Sequence, residues 1–211
     1  MGKTRGEIKA DIQDNLSDLN LNFFSDDDLN TSVQDAYTDV SILTQCIQEQ
    51  STQNWVSGLV YYNFVSLGVS DYLGAIAIFN NVTNLWLRDD LSLKDFDHIR
   101  RDWEKWNGTP QFWAPSDPLN IAIAANYTGA NLGSFILYYW GVAPTLASDA
   151  STFEIATDMQ KLLTNYATAD LLEQAQEFGK AAEFWTDYYT QIDTYADRVK
   201  RNTKSDLLLR V

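Results

Sequence analysis

The chain has 211 residues, 45% of them hydrophobic, and a formal net charge of −14, so it can bury a core as one medium domain or as a core carrying a sizeable insertion. The charge is uneven: residues 10–87 hold ten carboxylates and no Lys or Arg, whereas residues 198–211 hold five Lys/Arg against Asp206 alone. Tight nucleic-acid binding needs cations that displace condensed counterions, so the acidic body argues against a sequence-reading DNA binder.

The N-terminal stretch MGKTRGEIKADIQ lacks the apolar core of a secretory signal, and no apolar run of membrane-spanning length occurs. The expectation is a chain that folds in the cytosol and does not enter a membrane. Thr4 followed by Glu7 has the spacing of a capping box, and Ile8, Ile12 and Leu16 form an i, i+4 stripe, which together predict a first helix of about four turns. A second helix starts at Ser25, with Asp26, Asp27 and Asp28 in its first turn, where negative charge is favoured by the helix dipole. Its buried face is predicted as Leu29, Val33, Tyr37, Val40, Leu43 or Thr44, and Ile47. The aspartate run does not place ligands at the alternate positions of a calcium loop, so it reads as a helix start. Cys46 is the sole cysteine, which rules out an intramolecular disulfide and leaves a small core or interface thiol. Sequons at Asn15, Asn30, Asn81, Asn107 and Asn126 then follow from an Asn- and Thr-rich composition rather than from glycan attachment.

After Gln53 the sequence becomes rich in aromatics, Asn and Gly around short apolar runs, the pattern of strands joined by turns. Strands are predicted over residues 59–65, 75–79 with a hairpin mate at 84–87, 121–125 and 134–140. Turns fall at residues 80–83 and 131–133, since Asn and Gly tolerate positive φ. Pro110, Pro115 and Pro118 mark an extended piece around 111–114 as sheet edge or loop. Residues 91–106 read as a short helix or an ordered loop. There Arg100, Arg101 and Lys105 interleave with Asp97, Asp102 and Glu104, a mixture typical of a solvated or interfacial salt-bridged face.

Two amphipathic helices are predicted over residues 153–176 and 180–201, separated at Gly179. The first buries Phe153 or Ala156, Met159, Leu163, Tyr166, Ala169 or Leu172, and Ala175. The second presents Ala181, Trp185, Tyr188, Ile192, Tyr195 and Val199 on one face. A short connection makes them antiparallel. The fold class is thus α+β: an N-terminal helix pair in residues 1–53 and a C-terminal antiparallel pair in 149–201 form a helical core. A central antiparallel β-rich insertion lies in 54–148, and a tail in 202–211.

No catalytic constellation is visible, and no cofactor or metal ligands are assigned. His98 is the sole histidine and reads as structural; one His and one Cys cannot build a zinc site or a nucleophilic dyad. There is no Walker loop, no Gly-x-Gly-x-x-Gly and no Gly-x-Ser-x-Gly elbow. No local geometry selects a glycosidase pair among the carboxylates. The expectation is a protein that is not an enzyme. Trp103, Trp106, Phe112 and Trp113 sit near Gly108 and the prolines, where they could stack on sugars or bases, but single-strand binding needs a basic groove that the charge balance denies. Burial in the β region, or a place between subunits, is the plainer use. Trp103, Trp106, Trp113, Trp185 and Tyr188 are therefore candidate subunit-interface aromatics.

The tail combines Lys200, Arg201, Lys204 and Arg210 with Leu207, Leu208, Leu209 and Val211, cations for acidic neighbours and leucines for apolar pockets. Each leucine buried is worth about 1.5–3 kcal/mol before ordering costs.

Three segments in order carry a family resemblance. They are GEIKADIQDNLSDLNLNFFSDDDLNTSVQDAYTDVS, NGTPQFWAPSDPLNIAIAANYTG followed by SFILYYWGVAPTL, and MQKLLTNYATADLLEQAQEFGKAAEFWTDYYTQIDTYADRVKRN. They match a short helix, an aromatic and Ser-Asp step and a second helix; a Gly-x-Pro strand, an Ile-x-Ile strand and an aromatic strand ending in a proline turn; and a closing helical pair. In this order the chain resembles the head-to-tail adaptor (connector) proteins of tailed bacteriophages, over most of its length apart from residues 66–106. The resemblance implies a structural ring of twelve copies under the portal of a filled capsid, in the virion neck, with tail or nozzle proteins below and DNA passing without sequence-specific contact. It implies docking on the portal through Lys200, Arg201, Lys204, Leu207, Leu208, Leu209, Arg210 and Val211, and no catalytic residues. An acidic lumen fits that role, because it lowers local affinity for phosphate. The other reading is a β-rich tail or host-surface binding module that uses the tryptophan cluster.

Overall fold

The computed structural model describes residues 2–16, 24–124 and 132–208, with side chains described as far as Arg201. Two compact units are present, Gln48–Gly141 and a helical unit built from the chain on either side of it.

In the helical unit, α1 (Arg5–Asn15) opens on a capping box in which the Thr4 hydroxyl accepts from the Glu7 amide while the Glu7 carboxylate accepts from the Thr4 amide. The second helix, α2 (Asp26–Thr44), opens the same way through Ser25 and Asp28. Ile8, Ile12 and Leu16 of the first stripe are buried, as are Leu29, Val33, Tyr37 and Val40 of the second. Leu43 points outward and Thr44 inward, because the helix closes there: Gln45 adopts a left-handed backbone with φ 52°, and Ile47 enters the core from beyond the helix end. Lys9 is buried too. Its ammonium is held by Asp26, by Asn30 Oδ1 at 3.0 Å and by Asp149 at 3.3 Å, which compensates its removal from water.

A 3-10 turn (Thr157–Met159) leads into α4 (Gln160–Gln174), which is followed by α5 (Phe178–Leu208). The start at Gln160 lies seven residues later than residue 153, because Phe153 and Ile155 reach the core from an extended approach. α4 is enclosed by α1, α2 and α5. Leu162, Ala167 and Leu171 are therefore buried along with Leu163, Ala169 and Leu172, so the single apolar stripe read from the sequence widens to most of the helix. The chain reverses at Gln176, not at Gly179. Gln176 takes φ 63° and Gly179 lies inside α5.

The inserted unit contains a four-stranded antiparallel sheet, in the order β1 (Gln48–Asn54), β7 (Ser134–Gly141), β3 (Tyr72–Asn80), β4 (Leu85–Trp86). A three-stranded antiparallel sheet has the order β2 (Tyr61–Asn63), β6 (Asn120–Ala124), β5 (Phe112–Asp117). The fold is α+β, with helices toward both ends of the chain and the strands in its middle. β1 replaces the helical or linking chain expected before residue 54; it pairs with β7 along its full length, from Gln48↔Trp140 to Asn54↔Ser134. The prolines do mark an edge, since Pro115 lies on β5, at the margin of its sheet. Gly133, at φ 68°, precedes β7, and a Cβ there would lie 2.5 Å from Val82 Cγ2, so this turn needs glycine. Asn131 and Ala125, assigned to a turn and a strand end from sequence, lie outside the described residues, as does the sequon at Asn126.

Strand alternation divides the three-stranded sheet between two cores. Tyr62, Trp113, Ile121 and Ile123 face a core shared with Ile78, Phe135 and Leu137 of the larger sheet. Ala114, Ala122 and Ala124 face a smaller core under Phe96 of α3 (Leu93–Ile99) and Trp103 of the 3-10 turn Trp103–Lys105. The segment 91–106 is thus a short helix followed by an ordered turn, in which Arg100 pairs with Asp102 at 2.8 Å.

Candidate functional site

The last helix divides into an inward face, an outward face and an end that outruns its neighbour. Inward, Ala181, Tyr188 and Ile192 are buried, with Trp185, Tyr195 and Val199 half-buried beside them. The pairing with α4 is antiparallel: Trp185 Nε1 donates to Glu173 at 2.8 Å near one end, while Tyr195 Oη donates to the Asp158 carbonyl at 2.9 Å near the other. Arg198 closes that second end. Its guanidinium donates to both Asp158 oxygens and lies 4.7 Å over the Tyr195 ring, and it holds the Asp158 carboxyl below its ordinary value.

Asp158 precedes the first residue of α4, and the helix continues past Arg198, with Val199 still packed on the helical core, to Leu208. Ten residues of helix are about 15 Å of reach. Lys200 and Arg201 are exposed, and neither forms an ion pair among the described residues. Lys204, Leu207 and Leu208 follow on the same helical backbone, while Leu209, Arg210 and Val211 lie outside the described residues. The expected break near residue 202 between helix and tail is absent. No Gly or Pro interrupts residues 198–208, and the last three turns extend the same helix.

Outward, Phe178 is 65% and Tyr189 59% exposed. With Glu173, Ala182, Trp185 and Thr186 they line an open groove of about 510 Å³. Tyr189 stacks on Trp185 with ring centres 5.7 Å apart and planes 24° apart, which stiffens this aromatic surface. Tyr188, an interface candidate by sequence, is fully buried with its hydroxyl bound to Asp39, and Tyr189 beside it is the exposed ring. The recurrence of Phe178, Ala182, Trp185 and Tyr189 at i, i+4, i+7 and i+11 was the available signal of a second stripe.

The remaining aromatics part company. Trp103 and Trp113 are buried in different cores on opposite faces of the three-stranded sheet. Trp106 stays partly exposed, with the Arg100 guanidinium 5.2 Å over its ring. Trp103, Trp106, Phe96 and Phe112 border an apolar cavity of about 100 Å³. His98 is exposed on α3, and Cys46 is half-buried against the helical core, where burial pushes its thiol up.

An open cleft of about 570 Å³ between α1, α4 and α5 is bordered by Asp11, Asp14, Asp187, Lys3 and Lys161. Lys3 is paired with Asp11. Among the described residues no group of three His, Cys, Asp or Glu side chains is placed to hold a metal ion, and no helix is long and apolar enough to cross a membrane. No protein-family model matches the chain, and no curated protein matches it.

Proposed function

We propose that the chain is a structural head-to-tail adaptor of a tailed phage, which assembles as a ring under the portal, joins capsid to tail and lets DNA pass. The observation that carries this reading is the end of α5, a cationic helical stretch that continues ten residues past Arg198, the residue paired with Asp158 before the start of α4, on an otherwise acidic chain. The Lys, Arg and Leu content of this arm suits an acidic, pocketed surface such as a portal. The body carries a different instruction. With no cation between residues 10 and 87, a lumen formed from that stretch repels phosphate and passes a duplex without gripping it.

Electron microscopy of the chain mixed with a portal ring tests this reading. Full-length protein is expected to seat as a ring on the portal, and protein lacking residues 203–211 is expected to keep its helical circular-dichroism signal and lose the docking. Undiminished docking by the truncated protein overturns the role of the arm; absence of any ring from the full-length protein overturns the adaptor reading itself.

A further inference from the structure

We infer that the aromatic outer face of α5 receives the cationic carboxy-terminal arm of a second copy of this chain. The inference rests on the adaptor reading and names the contact that copies make with one another before a portal is met.

Face and arm are complementary in charge and apolar content. On the face, Phe178 and Tyr189 are mostly exposed around the groove, with Glu173, Glu183 and Asp193 beside or beyond them on the surface. On the arm, Lys200 and Arg201 are exposed, and Lys204, Leu207, Leu208 and Arg210 follow in the sequence. Ammonium and guanidinium groups are attracted both to carboxylates and to the faces of tyrosine and tryptophan rings, while leucines cover phenylalanine. The lengths agree as well. From Phe178 to Tyr189 the helix rises about 17 Å, enough to lie along the roughly 12 Å of helix over residues 200–208.

The arm that fills the groove has to come from another molecule. Arm and face belong to one uninterrupted helix, so the arm of a chain cannot turn back onto its own Phe178 and Tyr189. Made one way, from each copy to the next, a contact between two different surfaces of identical chains is head-to-tail, the kind that closes into rings. Because the arm also docks on the portal under the adaptor reading, neighbour and portal compete for one segment.

Sedimentation velocity of the full chain over rising concentration tests the contact. Reversible assembly beyond a dimer is expected, weakened at least tenfold in apparent affinity by high salt. A Phe178→Ser, Tyr189→Ser double variant and a truncation lacking 202–211 are each expected to remain monomeric, with circular dichroism unchanged apart from the helical residues that the truncation removes. Mixed together they are expected to form a heterodimer and nothing larger, since the mixture holds one intact face and one intact arm per pair. A monomeric wild-type chain, a wild-type species that stops at a closed dimer, wild-type association by either variant, or a mixture that stays monomeric overturns the inference. The adaptor reading fails separately: a wild-type chain that seats on a portal but never self-associates sinks this contact alone, and one that self-associates but binds no portal sinks that reading.

Discussion

Tyr188 joins two demands in one side chain. Its ring packs edge-on against Tyr166 and Trp185 with no exposed surface, and its hydroxyl donates to Asp39. Burial, then the Asp39 hydrogen bond, push its ionisation upward. Tyr188→Phe keeps the packing and deletes a hydrogen bond to a charged acceptor, so a loss of about 1.5–3 kcal/mol is expected in urea unfolding. In the inserted unit, burial pushes Tyr72 up to about 12, and burial together with Asp71 pushes Tyr139 up to about 12 as well. Both start from an ordinary value of 10.0. A raised tyrosine favours the folded state in its neutral form. This stabilisation is fully present below pH 10 and is lost as pH rises toward and through 12, because the unfolded chain sheds those protons first. A stability profile should therefore fall over that window, and Tyr72→Phe should shallow it. A profile that stays flat to pH 12 rules the assignment out.

Helix starts were the most legible elements, since Thr4 with Glu7 and Ser25 at the head of three aspartates are local chemistry that tertiary packing did not override. β1 was illegible for an equally physical reason. QEQSTQN is an edge strand, its outer residues wet and its pairing supplied wholly by β7, so no apolar alternation announces it. The reversal between α4 and α5 was misplaced because glycine is the usual left-handed residue, whereas the chain uses Gln176. A non-glycine residue held there carries a steric cost. Gln176→Gly is thus expected to raise stability by about 0.5–1 kcal/mol in thermal or urea unfolding, while Gly179→Ala, inside the helix, is expected to help by a similar amount. The candidate surface was legible in part. Charge and leucines marked the end of the chain, but nothing in the sequence showed that α4 stops short of it, and that shortfall is what turns a tail into an arm.

At the scale of the whole chain, the decisive fact is where the inserted unit begins and ends. Gln48 opens β1 and pairs with Trp140, one residue before the end of β7, so the chain enters and leaves this unit through adjacent strands, about 5 Å apart. The helical unit keeps its own apolar cluster, and the inserted unit is organised around two others. Across the gap left by removing the insertion, the helical unit already holds both ends of the chain. The Ala143 amide donates to Ser41 Oγ at 3.0 Å, and Ile47 and Ala143 belong to one cluster. Closing such a short gap costs little chain entropy. A chain in which residues 48–141 are replaced by a short Gly/Ser linker is therefore expected to fold as a helical protein with a single cooperative transition, read by far-UV circular dichroism and dispersed amide resonances. Were it to collapse without cooperative unfolding, the helical core would depend on the β insertion.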